Sequence, residues 1–258
     1  MNYFGTDGIR GPYGGKLLNE DFGYSLGRAL GGYLNASGPD PAVLLARDTR
    51  PSGEKLMFAL SQGLENSRCR AMDAGVLPTP ALAHGVVGRK FDLGVMITAS
   101  HNPSGDNGFK IFSGKGEKLA IEQERLIESR IELSALPEDG KRPPRDSETG
   151  KAYLDYVKGV FPDGFLEGRK VVADMANGAT SGTSIQVLSH YGAEVFPLHQ
   201  GEGAINENAG SEYPRLMQAK VAEVGAQLGI AYDGDGDRAV FCDEGGELIH
   251  GDKILGLL

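Results

Sequence analysis

The sequence predicts an α/β protein: two consecutive α/β domains, each a mixed sheet flanked by helices. Three observations predict it. Short apolar runs of strand length alternate with longer stretches of helical spacing. A stretch rich in Pro, Gly and charge and almost without large apolar residues, "ALPEDGKRPPRDSETG" at 135–150, interrupts the alternation and is expected to be a linker. A second β/α series then follows. The domains are therefore expected at 1–148 and 149–258.

In the first series, "NEDFGYSLGRALGGYL" places Phe22, Leu26, Leu30 and Tyr33 on one helical stripe behind Asn19. Asn19 suits an N-cap because its short side-chain carbonyl reaches the free amides of a first turn. "AVLLARD" (42–48) has the length and composition of a strand. "PSGEKLMFALSQGLENS" (51–67) opens with Pro51 and Ser52, good helix-start chemistry, and carries Leu56, Leu60 and Leu64 on one face. "RAMDAG" (70–75) reads as a weak strand, "PTPALAHGVVGRK" (78–90) as a short helix and "DLGVMITAS" (92–100) as a buried strand. "IEQERLIESRIELS" (121–134) reads as a helix.

In the second series, a helix around Tyr153, Tyr156, Val157 and Val160 leads to strand "KVVADM" (170–175). "NGATSGTSIQVLSHYG" (177–192) is a loop entering a helix. Strand "AEVFPL" (193–198), helix "YPRLMQAKVAEVGA" (213–226) and strand "LGIAY" (228–232) come next. "RAVFCDEGGELI" (238–249) reads as two strands joined at Glu244–Gly246. The closing "HGDKILGLL" puts Asp252 in an N-cap position with Ile254, Leu255 and Leu258 at helical spacing. It has no C-cap, which is the pattern expected of a chain cut at a boundary.

Bulk composition narrows the class. With 40% hydrophobic and 24% charged residues the chain has the make-up of a globular protein. The net charge of −9 disfavours nucleic acid and anionic membrane as partners of the surface as a whole. The apolar runs are only a few residues long, far short of a membrane span, and "MNYFGTDGIRG" lacks the basic start and apolar core of a secretory signal. Two cysteines, Cys69 and Cys242, have no metal-ligand spacing and are too few for a disulfide framework, so a cytoplasmic setting is expected.

Three stretches carry chemistry. In "YDGDGDRAV" (232–240), Asp233, Asp235 and Asp237 sit two apart, separated by glycines and directly after a strand. Carboxylates crowded this closely repel one another unless a cation is present, and the glycines let the backbone turn all three toward one point. Hard oxygen donors in a small set suit Mg²⁺. An EF-hand register exists through Asp233, Asp235, Asp237 and Glu244, but Arg238 stands where that loop needs glycine and the flanks read as strands. An acidic hairpin turn is the plain alternative.

The second stretch is "TASHNP" (98–103). No G-x-S-x-G elbow surrounds Ser100, so acyl transfer is not indicated. Taken alone, Ser100 reads as a turn or N-cap residue and His101 as a structural hydrogen-bonder. Their company changes the reading, since a strand-end serine and a strand-end aspartate triplet both lie where α/β proteins bind ligands. Charges balance if Ser100 carries phosphate: the ester adds roughly −2, Mg²⁺ bridges it to the triplet, and Arg10, Lys110 and Arg238 offset the remainder. Ser100 is then a phosphoryl donor and acceptor. The third stretch, "YFGTDGIRG" (3–11), reads as a backbone-presenting loop with Arg10 as a phosphate contact, or as a simple turn with a surface arginine.

Together these stretches resemble the α-D-phosphohexomutase superfamily, and within it the bacterial phosphoglucosamine mutase branch. "FGTDGIRG" (4–11), "TASHNP" with "DNGFKIF" (106–112) and "DGDGDR" (233–238) match its motifs in order, and "RDTRPSG" (47–53), "GVLPTP" (75–80) and "NENAGSEYPRLMQ" (206–218) resemble its connecting segments. The resemblance implies the first two α/β domains of a four-domain protein. It implies Ser100 as the phosphorylated serine and, through its phosphate, a ligand of Mg²⁺ with Asp233, Asp235 and Asp237. Arg10 and Arg238 would lie near the phosphoserine, Lys110 would serve as general acid/base, and His101 would be their neighbour. The implied reaction interconverts glucosamine 6-phosphate and glucosamine 1-phosphate through a bisphosphorylated sugar, for amino-sugar nucleotide and cell-wall precursor synthesis. The mannose/glucose branch, a Mg²⁺-dependent phosphatase and a non-catalytic short module are the alternatives. The family's E-x-S-G-H sugar loop and R-x-S-G-T-E phosphate loop, of domains three and four, have no match here. The chain is therefore expected to bind Mg²⁺ and accept a phosphoryl group while turning over sugar phosphate poorly by itself.

Overall fold

The computed structural model describes residues 3–36 and 38–256. The chain divides into two compact units, Met1–Ala99 with Gly105–Ala152, and Ser100–Ser104 with Tyr153–Leu258. The five residues of the serine loop thus pack with the second series of elements, although they belong to the first in sequence.

The first unit is a five-stranded mixed sheet in the order β1-β5-β4-β2-β3. Its strands are β1 (Ile9–Pro12), β2 (Ala42–Arg47), β3 (Arg70–Val76), β4 (Leu93–Ile97) and β5 (Asp106–Ser113). β2 runs parallel to β3 and β4, whereas β5 runs antiparallel to β4 and β1. Helices α1 (Glu20–Asn35), α2 (Gly53–Asn66) and α4 (Ile121–Glu128) supply one apolar layer, where Leu26, Leu30, Leu56, Leu60 and Ile127 meet Val43, Leu45, Val95 and Ile97. Leu44 points the other way, toward Gly85 of α3 (Thr79–Gly88), as strand alternation requires. Asn19 caps α1 as its sequence predicts, accepting from the Phe22 N–H at 2.9 Å. α1 and α2 approach so closely that a Cβ on Gly27 would lie 2.2 Å from the Leu60 carbonyl oxygen, and one on Gly63 2.1 Å from that of Tyr24.

Three expectations are corrected in this unit. Residues 9–11, read as part of a loop, form edge strand β1 together with Pro12, because β5 offers them a full antiparallel register from Phe109 to Asp106. The helix expected over 121–134 stops at Glu128. Beyond it, Ile131 packs on the core, the Ser134 N–H donates to Ser25 Oγ at 2.9 Å and Arg28 donates to Ser134 Oγ at 2.9 Å, so tertiary partners outcompete further helical turns. The stretch 135–150 is no free linker. Leu136 N–H reaches Asp21 Oδ1 at 2.8 Å, Asp73 N–H donates to the Pro144 carbonyl at 2.8 Å, Arg145 pairs with Asp73 at 2.8 Å, and Arg89 pairs with Asp146.

The second unit repeats the theme with the order β10-β9-β8-β6-β7. Its strands are β6 (Lys170–Asp174), β7 (Glu194–Leu198), β8 (Leu228–Tyr232), β9 (Ala239–Cys242) and β10 (Leu248–Ile249). β6 is parallel to β7 and β8, and β9 is antiparallel to β8 and β10. On one face Val172, Ala231 and Cys242 pack against Met217 and Val221 of α7 (Arg215–Val224). On the other, Val171 and Ile230 pack against Leu166 and Leu188, the latter from α6 (Ser184–His190). α5 (Glu148–Lys158) precedes this sheet, and the short α8 (Gly251–Leu255) follows it. The N-cap of α8 is His250, whose side chain accepts from the Asp252 N–H, so Asp252 stands in the first turn and not at the cap. Leu255 is exposed and Ile254 half-buried, while Leu258 lies outside the described residues. Both cysteines are buried free thiols. Among the described residues no helix is long and apolar enough to cross a membrane.

Candidate active site

The centre of the second unit's site is the turn between β8 and β9. Asp233 N–H donates to the Arg238 carbonyl at 3.1 Å, and Gly236 N–H donates to that of Asp233 at 3.0 Å, which closes a tight loop. Gly236 takes φ +68°, a conformation that favours glycine. This folding brings one carboxylate oxygen of each of Asp233, Asp235 and Asp237 within 4.8 Å of the others. Asp233 and Asp235 are buried and Asp237 is exposed. Burial, and next the charge of Asp235, push the Asp233 carboxyl up to about 6.

Ser100 meets this loop directly. Its Oγ donates to Asp233 Oδ2 at 2.6 Å and accepts from Arg238 Nη2 at 3.0 Å. His101 Nδ1 stands 3.3 Å from the same Oγ and also meets Arg238 Nη2. Arg238 in turn pairs with Asp233 at 3.2 Å and approaches Glu212 at 4.0 Å. Ser100 is 2% exposed and has φ +53°, a left-handed backbone uncommon for a residue with a Cβ. A Cβ on Gly234 would lie 2.7 Å from the Ser100 carbonyl oxygen, so glycine at the first gap of the triplet is a condition for seating the serine loop.

The donor chemistry fits a small hard cation. Three carboxylates converge, one is pushed toward its protonated form by burial and then by its neighbours' charge, and a divalent ion would relieve that repulsion while Ser100 Oγ stands at the same cluster.

The first unit gathers a second set of predicted residues. Arg10, on β1, pairs with Asp7, and Lys110, on β5, has its Nζ 3.4 Å from the same carboxylate. The Lys110 side chain is 3% exposed, and the buried Arg10 Nε makes no hydrogen bond. In the same unit, a wholly buried Asp48–Arg50 pair stands at 2.9 Å; Asp48 accepts from Thr98 Oγ1 at 2.6 Å and Arg50 Nη1 donates to the Asp106 carbonyl at 2.8 Å, which pins the end of β4.

The structure therefore brings together Ser100, His101, Asp233, Asp235, Asp237 and Arg238 in one unit, and Arg10 with Lys110 around Asp7 in the other. Sequence reading passed over Asp7, Glu212 and Asn206. Asp7 lies inside "GTDG", and an acid beside a glycine in a short turn-like stretch was the available signal. Nothing local distinguished Asn206, whose partners lie more than a hundred residues away.

Residues 1–136 match the description "Phosphoglucomutase/phosphomannomutase, alpha/beta/alpha domain I", and residues 151–246 match domain II of the same family. The chain is 43% identical over 257 residues to a phosphoglucosamine mutase of Thermus thermophilus, covering 98% of this chain and 58% of that protein. It is 42% identical over 267 residues to a phosphoglucosamine mutase of Acinetobacter baumannii, covering 100% of this chain and 60% of the relative. A phosphoglucomutase/phosphomannomutase family protein of Burkholderia thailandensis has a similar crystal structure, with TM-score 0.81 and 29% identity over 98% of this chain and 57% of that one. The chain thus spans about three fifths of the length of the curated relatives it matches. Its fold, its motifs and these matches agree, and the chain belongs to the phosphoglucomutase/phosphomannomutase family.

Proposed function

We propose that this chain supplies the phosphoserine and cation-holding part of a phosphoglucosamine mutase, interconverting glucosamine 6-phosphate and glucosamine 1-phosphate in the cytoplasm. One observation carries the reading: a buried serine hydroxyl, held in a left-handed loop, donates at 2.6 Å into the aspartate triplet and accepts at 3.0 Å from Arg238. A hydroxyl so placed serves as phosphoryl acceptor and, once esterified, as donor. Names at 42–43% identity favour the glucosamine branch over the mannose/glucose branch.

In the proposed cycle the Ser100 ester gives its phosphoryl group to one hydroxyl of a hexosamine phosphate. The O–P bond to Ser100 breaks as the bond to the sugar oxygen forms, the hydroxyl proton leaves the sugar, and the freed Ser100 oxygen takes up a proton, which it gives up again when a phosphoryl group returns. Lys110 is proposed as the group that carries that proton. The bisphosphorylated sugar turns around, and its other phosphoryl group returns to Ser100 Oγ, regenerating the ester. Arg238 and His101 steady the serine oxygen, and Arg10 is proposed as a phosphate contact. Asp233, Asp235 and Asp237, together with the Ser100 phosphate, would hold Mg²⁺, which supplies neutralisation of charge on the phosphoryl oxygens. Sugar recognition is assigned to the part of the relatives' length that this chain does not span.

The test is intact mass before and after incubation with a bisphosphorylated hexosamine and Mg²⁺. The expected result is one added phosphate, absent in Ser100→Ala. Free phosphate released continuously from a sugar phosphate, without isomer, would instead mark a Mg²⁺-dependent phosphatase. No modification under any loading condition would remove the phosphoserine.

A further inference from the structure

In the segment between β7 and α7, the side chain of Asn206 reaches the serine loop. Asn206 Nδ2 donates to the Ser100 carbonyl at 2.7 Å and to the Asn102 carbonyl at 3.0 Å. Two carbonyl oxygens facing one amide leave no ambiguity about its orientation, because only the nitrogen end can satisfy them. Asn206 is itself buried and anchored, since its N–H donates to the Ala176 carbonyl at 2.9 Å just past β6. A Cβ on Gly234 would lie 2.9 Å from Asn206 Nδ2 and 2.7 Å from the Ser100 carbonyl oxygen, so the metal loop closes against the same contact. Asp174, at the end of β6, holds both flanks, accepting from Ala176 N–H at 2.9 Å and Gly210 N–H at 3.1 Å.

This arrangement answers a physical need. Ser100 adopts φ +53°, which disfavours a residue with a Cβ, and such a conformation persists only where surroundings over-determine it. The bond from Asn206 fixes the carbonyl of that very residue, and with it the direction of Oγ toward Asp233 and Arg238. We infer that Asn206 is a positioning residue: its amide locks the left-handed conformation of Ser100 and so aims the hydroxyl at the cation-holding loop. The inference rests on the phosphoserine reading for its consequence in phosphoryl transfer, but not for the ordering of the loop.

Two substitutions separate the amide from the backbone. Asn206 has φ +61°, which glycine and aspartate both accept. Asn206→Gly keeps that freedom and removes the donors; Asn206→Asp keeps the shape and replaces them with oxygens that repel the carbonyls. In both, amides of residues 100–104 should exchange with deuterium about tenfold faster or more, while those of β6 and β8 stay protected. Ser100 phosphorylation should slow by about tenfold to a hundredfold, with Mg²⁺ affinity changed less than about threefold. Unchanged exchange at 100–104 in both variants overturns the inference, as does a parallel loss of protection in β6 and β8, which would mean a general folding defect. If the unmodified chain itself takes no phosphate while the variants loosen the loop, the phosphoserine reading fails and the positioning of Ser100 stands.

Discussion

At the scale of single residues, the decisive feature is a carboxylate held out of its usual range. Asp233 is pushed up to about 6 because it is buried beside Asp235 and Asp237. A proton on Asp233 is therefore bound more tightly in the folded chain than in the unfolded one. In cation-free protein this group costs stability above about pH 6, and the cost fades as the pH falls toward the ordinary carboxylate range. A divalent ion competes for the same oxygens, so Mg²⁺ affinity measured by calorimetry is expected to hold above pH 7 and to fall as pH drops through about 6. Asp233→Asn and Asp235→Asn should each weaken Mg²⁺ by about tenfold or more. Retention of full affinity by both would remove the triplet as the cation site. Asp233→Asn should also flatten the pH dependence.

At the scale of elements, the contact between α1 and α2 sets the geometry of the first unit's apolar layer. Gly27 and Gly63 face carbonyl oxygens of the opposite helix at distances that no Cβ can occupy. Gly63→Ala is expected to destabilise the chain by about 1–3 kcal/mol or more, because the helices must separate and the Leu26, Leu30, Leu56 and Leu60 layer loosens. Gly32, in the same helix α1, has open space where a Cβ would go, so Gly32→Ala should be neutral or stabilise by up to about 1 kcal/mol through helix propensity. Denaturant titrations of the two variants test the pair, and equal losses would refute the packing argument. The same scale explains the early end of α4. Propensity favoured continuing past Glu128, yet Ser25 and Arg28 of α1 bind the chain around Ser134 and draw it extended.

At the scale of the whole molecule, the chain is two units with separate apolar cores, and the serine loop is counted with the unit that holds the triplet. Cation binding should therefore be felt unevenly. At about 100 times its dissociation constant, Mg²⁺ adds about 2.7 kcal/mol to whatever unfolding exposes its site. Hydrogen exchange is expected to show this added protection in β6, β8 and the 100–104 loop, and little of it in β2 and β4. Equal protection of both sheets would mean that the two cores unfold together.

The sequence by itself determined both α/β series, most of the strands and helices though not β1 or β5, and the strand-end serine and glycine-spaced aspartates that make the candidate site. Strand length, helical stripes and glycine-spaced acids are local patterns, written in neighbouring residues such as Leu56, Leu60 and Leu64 or Asp233, Asp235 and Asp237. It did not reveal that residues 9–12 pair as a strand, that 135–150 is pinned along the first unit, or that Asn206 reaches back to Ser100. Each of these depends on partners many tens of residues away, where the free energy comes from a hydrogen bond or burial that exists only once the sheet is assembled. The left-handed Ser100 is the clearest case, since its own preferences oppose the conformation and only the groups folded around it, from Asn206 to Gly234, hold it there.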